Sequence, residues 1–122
     1  MKKIQHYVQG HWTTGKEEGM PILDAITGEA FTSVATEGLD IPEILNYGRT
    51  KGESLRKMTF QERGNMIKKL ALYLTKKKDA FYELSYRTGA TKVDSWIDIE
   101  GGFGNLFANA SLRKLFPNQS YH

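Results

Sequence analysis

Thr91-Lys92-Val93-Asp94-Ser95-Trp96-Ile97-Asp98-Ile99-Glu100-Gly101-Gly102-Phe103-Gly104-Asn105-Leu106-Phe107 admits two readings, and the choice between them decides the fold. Ile97-Asp98-Ile99 alternates like a strand, and Gly101-Gly102-Phe103-Gly104 behind it invites comparison with a phosphate-binding loop. A dinucleotide fingerprint needs a further glycine three residues after Gly104, where Phe107 stands, and no Gly-Lys-Ser/Thr ending follows. The helical alternative fits better. Val93, Trp96, Ile97, Glu100, Phe103, Phe107 and Ala110 fall at helical spacing, and Trp96, Ile99, Phe103, Leu106 and Ala110 form a second apolar line. Such a helix is buried on two sides, for which a chain of 122 residues has too little protein. Its glycines, at about 1 kcal/mol each in helix propensity, suit close approach of another backbone. Pro117-Asn118 ends the segment, and Gln119-Ser120-Tyr121-His122 carries no structural signal.

Upstream, Thr59-Phe60-Gln61-Glu62 matches a capping box and starts a helix with Phe60, Ile67, Leu70, Ala71 and Leu74 on its apolar side. Lys68, Lys69 and Lys76–Lys78 fall largely on the outer side. A further turn or two, Ala80-Phe81-Tyr82-Glu83-Leu84, stops at Arg87-Thr88-Gly89, with Gly89 just past the helix end. An earlier helical segment starts at Asp40 as N-cap, with Pro42 in the first turn, and runs to about Lys57. Its stripe of Ile44, Leu45, Tyr47 and Leu55 is ragged, and Gly48 and Gly52 weaken it.

Residues 1–38 change period to strands and turns. Tyr7-Val8 and His11–Thr14 flank Gln9-Gly10, where glycine supplies a tight turn. A polar loop, Gly15–Gly19, leads to Met20–Leu23, which pairs with Ala30–Ala35 across Asp24–Glu29. The expected organisation is therefore an α/β chain forming one domain: two short β-hairpins in 1–38, then about three α-helices in 39–122. Two hairpins alone bury too little to be stable, so they need a partner.

Composition bounds the function. With 39% hydrophobic and 25% charged residues the chain suits a small soluble domain. It contains no cysteine, which removes a disulfide scaffold, a Cys-ligated zinc and a thiol nucleophile from these residues. His6, His11 and His122 lie at the two ends and suggest no metal cluster. Met1–His6 lacks the apolar run of a signal peptide, and no 18 consecutive apolar residues occur, so a cytoplasmic protein without a membrane span is expected. Residues 1–48 carry a net charge of −4 and residues 49–87 one of +7. The basic stretch reads as a solvated helix face rather than a nucleic-acid surface, since Lys76-Lys77-Lys78 has no interleaved aromatics.

No motif supplies an active site. Asp94 and Asp98 share a helix face but lack a third ligand, which favours a solvated edge or a helix-dipole partner over a metal site. Glu100 sits among apolar residues and needs a partner if buried. Trp12 and Trp96 read as core or interface anchors.

The order of elements carries a resemblance. Tyr7-Val8-Gln9-Gly10-His11-Trp12 resembles the opening strand of the aldehyde dehydrogenase superfamily, and Asp24–Glu29 its Asn-Pro-x-Thr-Gly-Glu turn, with Asp24 and Ala25 in place of Asn and Pro. Thr59–Arg63 is similar to that superfamily's second-helix start, and Tyr86–Ala90 to its acidic-Thr-Gly-Lys turn, with Arg87 and Ala90 departing from it. Thr88–Thr91, Asp94–Trp96 and Asp98–Gly102 resemble more particularly the dehydrogenase half of the bifunctional ring-opening family of bacterial phenylacetate degradation. The resemblance implies an NAD(P)-dependent oxidation of a CoA-linked semialdehyde, with NADP as the cofactor. It implies a homo-oligomer, completed by the remainder of the dehydrogenase and by a C-terminal hydratase-like domain. It implies that the 122 residues are the leading part of a cofactor-binding domain, inactive alone, with the catalytic cysteine and glutamate outside them. Phe103 and Phe107 lie on the helix that approaches the substrate tunnel in that family, against the plainer expectation that they pack in the core. The competing class is a non-catalytic helical interaction or oligomerisation module.

Overall fold

A computed structural model describes residues 2–121. The chain divides into two compact units, Met1–Glu53 and Ser54–His122.

In the first unit β1 (His6–Val8) and β2 (His11–Thr13) pair antiparallel, with Tyr7 opposite Trp12. Gln9 and Gly10 turn between them at φ 52° and 86°, the doubly left-handed turn that matches the twist of a two-residue hairpin. Gly10 is required twice over, because an added Cβ would stand 2.9 Å from Tyr47 Oη. β3 (Met20–Leu23) and β4 (Ala30–Val34) form a second, separate antiparallel sheet with an irregularity between Ile22 and Leu23. Asp24 organises their connection. Its carboxylate accepts from the amides of Ile26 at 2.9 Å and Thr27 at 3.2 Å, an Asx turn that closes at Gly28 with φ 74°. Beyond β4, the Glu17 carboxylate accepts from the amides of Thr36 at 2.7 Å and Glu37 at 2.8 Å, and the Lys3 ammonium donates to the carbonyl of Glu17. Helix α1 (Ile41–Lys51) begins where expected: the Asp40 carboxylate accepts from the Glu43 amide at 3.0 Å, and Pro42 lies in the first turn.

The expected helix to Lys57 is interrupted at Gly52, and α2 (Glu53–Lys57) is a separate short element. In the second unit α3 (Phe60–Thr75) and α4 (Lys78–Tyr86) are also distinct. The Lys77 amide bonds only three residues back, to Leu74, and Lys77 then leaves helical geometry at φ −105°, ψ 7°. The expectation of about three helices is thereby corrected to five α-helices among the described residues, with a closing 3-10 turn at Leu112–Leu115. α5 (Lys92–Ser111) runs unbroken through Gly101, Gly102 and Gly104. That settles the first ambiguity: the strand-and-loop alternative fails because the glycine amides lie inside a helix.

α5 packs against both α3 and α4. Capping boxes fix the starts of α3 and α5, with Thr59 and Glu62 bonding reciprocally in one and Thr91 and Asp94 in the other. The seam is made of small residues: Ala71, Ser95 and Ala110 are wholly buried, and at Gly64 an added Cβ would stand 2.6 Å from the Arg113 side chain. Close approach of backbones leaves the larger side chains outside. Leu45 and Leu70, expected on apolar faces, are 66% and 48% exposed, and neither Trp12 nor Trp96 is a core residue. Among the described residues the large apolar side chains of α5 are covered from Ile99 onward and open in its first turns. Ile99, Phe103 and Leu106 are half-buried on the way to Ala110, whereas Val93, Trp96 and Ile97 are exposed.

The tail, silent in sequence, is tied by main-chain groups. The Phe60 amide donates to the Gln119 carbonyl at 2.9 Å, Arg63 to the Ser120 carbonyl at 3.1 Å, and Phe60 stacks on Phe116 at 4.6 Å. No helix among the described residues is long and apolar enough to cross a membrane.

Candidate functional site

On α4, Lys78, Tyr82 and Tyr86 follow at four-residue spacing and so share one face. On α5, Val93, Trp96 and Glu100 do the same at spacings of three and four. The two faces line an open groove of about 500 Å³ in the second unit. Beside it, the wholly buried Ser95 donates its hydroxyl to that of Ser85 at 2.9 Å, and Phe103 meets Phe81 edge-on at 5.8 Å. These contacts join the two helices beside the groove.

Glu100 is the polar centre of the groove. One carboxylate oxygen accepts from Lys78 Nζ at 3.1 Å and from the Tyr82 hydroxyl at 2.9 Å. The hydrogen bond from Lys78, and then that from Tyr82, hold the carboxyl below its ordinary value. Desolvation, reinforced by the bond to the neighbouring carboxylate, pushes the Tyr82 phenol up to about 12. At neutral pH Glu100 therefore stays ionised and Tyr82 stays protonated. The cluster ties α4 to α5 through one carboxylate oxygen.

The sequence identified Glu100 as a residue in need of a partner, but not the partners, which lie on another helix. Asp94 is consumed by the cap at Thr91, whose hydroxyl donates to it at 2.6 Å, and that bond lowers its carboxyl in the first turn of α5. Asp98 is exposed. His6 bonds the Ala35 carbonyl at 2.8 Å and His11 is exposed, while His122 lies outside the described residues. Phe103 and Phe107 are both half-buried on α5. Of the basic stretch, Lys68, Lys69, Lys76 and Lys77 are solvated as expected, but Lys78 is drawn into the groove.

No family profile matches the chain. A curated relative does. Over 114 residues the chain is 35% identical to the 3,4-dehydroadipyl-CoA semialdehyde dehydrogenase of Aromatoleum evansii. The likeness is to an aldehyde dehydrogenase. It covers 92% of this chain but 22% of the dehydrogenase, so the chain spans about a fifth of the length of the relative it matches. The dehydrogenase-like segment thus has the resemblance expected from its hairpin turn, its Thr-Gly-Glu turn and its helix starts.

The dinucleotide that such a dehydrogenase implies finds no cradle among these residues. Gly101, Gly102 and Gly104 present no loop amides, and the groove's Lys78 and Lys92 are balanced by Asp79 and Glu100. These residues do not fit a phosphate-bearing cofactor.

Proposed function

We propose that the chain is the leading segment of an NAD(P)-dependent dehydrogenase that oxidises a CoA-linked semialdehyde to the acid in phenylacetate degradation. The observation that carries this is the 35% identity, across 92% of the chain, to a CoA-linked semialdehyde dehydrogenase. In this proposal the nicotinamide cofactor, NADP or NAD, and the catalytic groups belong to polypeptide outside the 122 residues. No chemical step is assigned to the segment, which is inactive alone and works in a cytoplasmic homo-oligomer. The segment supplies a rigid helical wall, on which Phe103 and Phe107 approach the substrate tunnel.

The competing module, self-sufficient and non-catalytic, is disfavoured by the exposure of Val93, Trp96 and Ile97, which a stable free-standing module would cover. A chimera decides the matter. The matching segment of the Aromatoleum evansii dehydrogenase is replaced by this chain, and oxidation of 3,4-dehydroadipyl-CoA semialdehyde is followed with NADP or NAD. Turnover is expected in the chimera and none in the isolated chain. A folded chimera without turnover overturns the proposal.

A further inference from the structure

The geometry points to a small-anion site in the second unit: a hollow of about 180 Å³ that takes a carboxylate carrying one ring-sized apolar group. The hollow shares no lining residue with the groove around Glu100, and the inference does not depend on the dehydrogenase proposal. Its walls are apolar. Phe60 and Ile67 come from α3, Leu112 from the 3-10 turn and Phe116 from the chain just beyond it. A dry cavity of about 150 Å³ accommodates one benzene ring, so the hollow has room for a ring and little more.

The side chains of Arg63 and Arg113 border the hollow, and no Asp or Glu lines it. The two cations are used differently. Arg63 lies over the Phe60 ring at 4.8 Å and donates to the carbonyls of Leu55, Met58 and Ser120. Neutral carbonyls occupy its donors but leave its charge uncancelled. Arg113 donates through Nη1 to the Ala110 carbonyl at 2.6 Å, and its remaining donors have no partner among the described residues.

Arg113 is held in place before any ligand arrives. A Cβ added at Gly64 would stand 2.6 Å from its Cδ and 2.7 Å from its Cβ, so glycine inside α3 is what admits the arginine stem. That glycine costs the helix about 1 kcal/mol relative to alanine. With its stem against α3 and its tip on Ala110, the guanidinium loses little freedom on binding a group that accepts from its fork. Charge then selects the ligand. An ammonium is repelled by two cations with no acid beside them, and a neutral ring gains nothing from them. An anion without an apolar group leaves the four walls unused. A carboxylate accepts from Arg113 while its ring rests among Phe60, Ile67, Leu112 and Phe116.

The test titrates the isotope-labelled 122-residue chain with benzoate at constant ionic strength and follows backbone amide and arginine Nε–H resonances. Benzamide lacks the charge and acetate lacks the ring. Benzoate is expected to shift the Arg113 Nε–H and the amides of Ile67 and Leu112 saturably. Benzamide and acetate are each expected to bind at least about tenfold more weakly, through loss of the charge-assisted bond and of apolar burial respectively. Two variants locate the site. Arg113→Gln removes the guanidinium, and Asn109→Glu, at an exposed position, adds a carboxylate to the lining. Each is expected to weaken benzoate at least about tenfold, and Asn109→Glu carries the test should Arg113→Gln fail to fold. Benzamide binding as well as benzoate overturns the role of charge, and acetate binding as well overturns the role of the ring. An absence of saturable shifts, shifts centred elsewhere, or full affinity in both variants overturns the site.

Discussion

Ser95, wholly buried on α5, donates its hydroxyl to Ser85 of α4 at 2.9 Å, a bond between the two helices that line the groove. Ser95→Ala removes the donor and is expected to destabilise the second unit by about 1 kcal/mol. Ser95→Leu forces a large side chain into a filled seam and is expected to cost about 1–3 kcal/mol. Urea unfolding followed by far-UV circular dichroism measures both. If the leucine variant is as stable as the parent, α4 and α5 are not packed as described.

The two internal glycine environments make opposite predictions. At Gly64 an added Cβ meets the Arg113 side chain at 2.6 Å, so Gly64→Ala is expected to destabilise despite its gain in helix propensity. At Gly102 nothing lies within 4 Å, and Gly102→Ala is expected to stabilise the isolated chain by about 1 kcal/mol. Parallel thermal melts read the sign of each change.

Glu17 makes the first unit sensitive to acid. The amide of Glu37, with that of Thr36, holds its carboxyl below the ordinary value of 4.5. A carboxyl depressed in the folded state contributes stability above its unfolded value and loses it as pH falls through the folded one. Stability of the hairpin unit is therefore expected to decline below pH 4.5, and Glu17→Gln is expected to flatten that decline. Carboxyl titration by NMR, with the amide shifts of Thr36 and Glu37 as reporters, checks the assignment.

Tyr82 makes the opposite end of the pH scale informative. Its phenol is raised from 10.0 to about 12, so the folded state holds that proton more tightly than the unfolded chain. The contribution is complete below pH 10 and disappears as pH rises towards 12. Tyr82→Phe is expected to remove this part of the alkaline destabilisation, and ultraviolet titration of the phenols should lose its latest-ionising component. An unchanged alkaline profile would show that desolvation and Glu100 do not raise the Tyr82 phenol.

Capping supplies a fifth measurement. Thr59→Ala and Thr91→Ala each break a reciprocal cap and are each expected to cost about 1 kcal/mol in denaturant unfolding. The two effects should add, because the caps belong to different helices and share no partner.

The caps at Thr59 and Asp40 were legible in the sequence because each is complete within four residues. The equally local box of Thr91 and Asp94 emerged only in the structure, since in sequence Asp94 reads as a solvated edge or dipole partner. The Gln9-Gly10 turn and the Asp24 turn are local in the same way. Glu100 shows where that legibility stopped. Its isolation among apolar neighbours was visible, but its partners stand 18 and 22 residues away, on a helix whose break from α3 depends on a main-chain bond at Lys77. The ties from the tail to Phe60 and Arg63 left no trace, since backbone carbonyls accept hydrogen bonds whatever side chain they carry.

The amino-acid sequence by itself determined the local elements: two hairpins, the helix starts, and a final helix apolar on two sides. Only the tertiary structure decided which of its apolar positions are covered. Both lines of α5 have the hydrophobicity to be core, but burial depends on what approaches a surface. Here the small residues Ala71, Ser95 and Ala110 let neighbouring helices close on part of the helix and leave Val93, Trp96 and Ile97 facing outward.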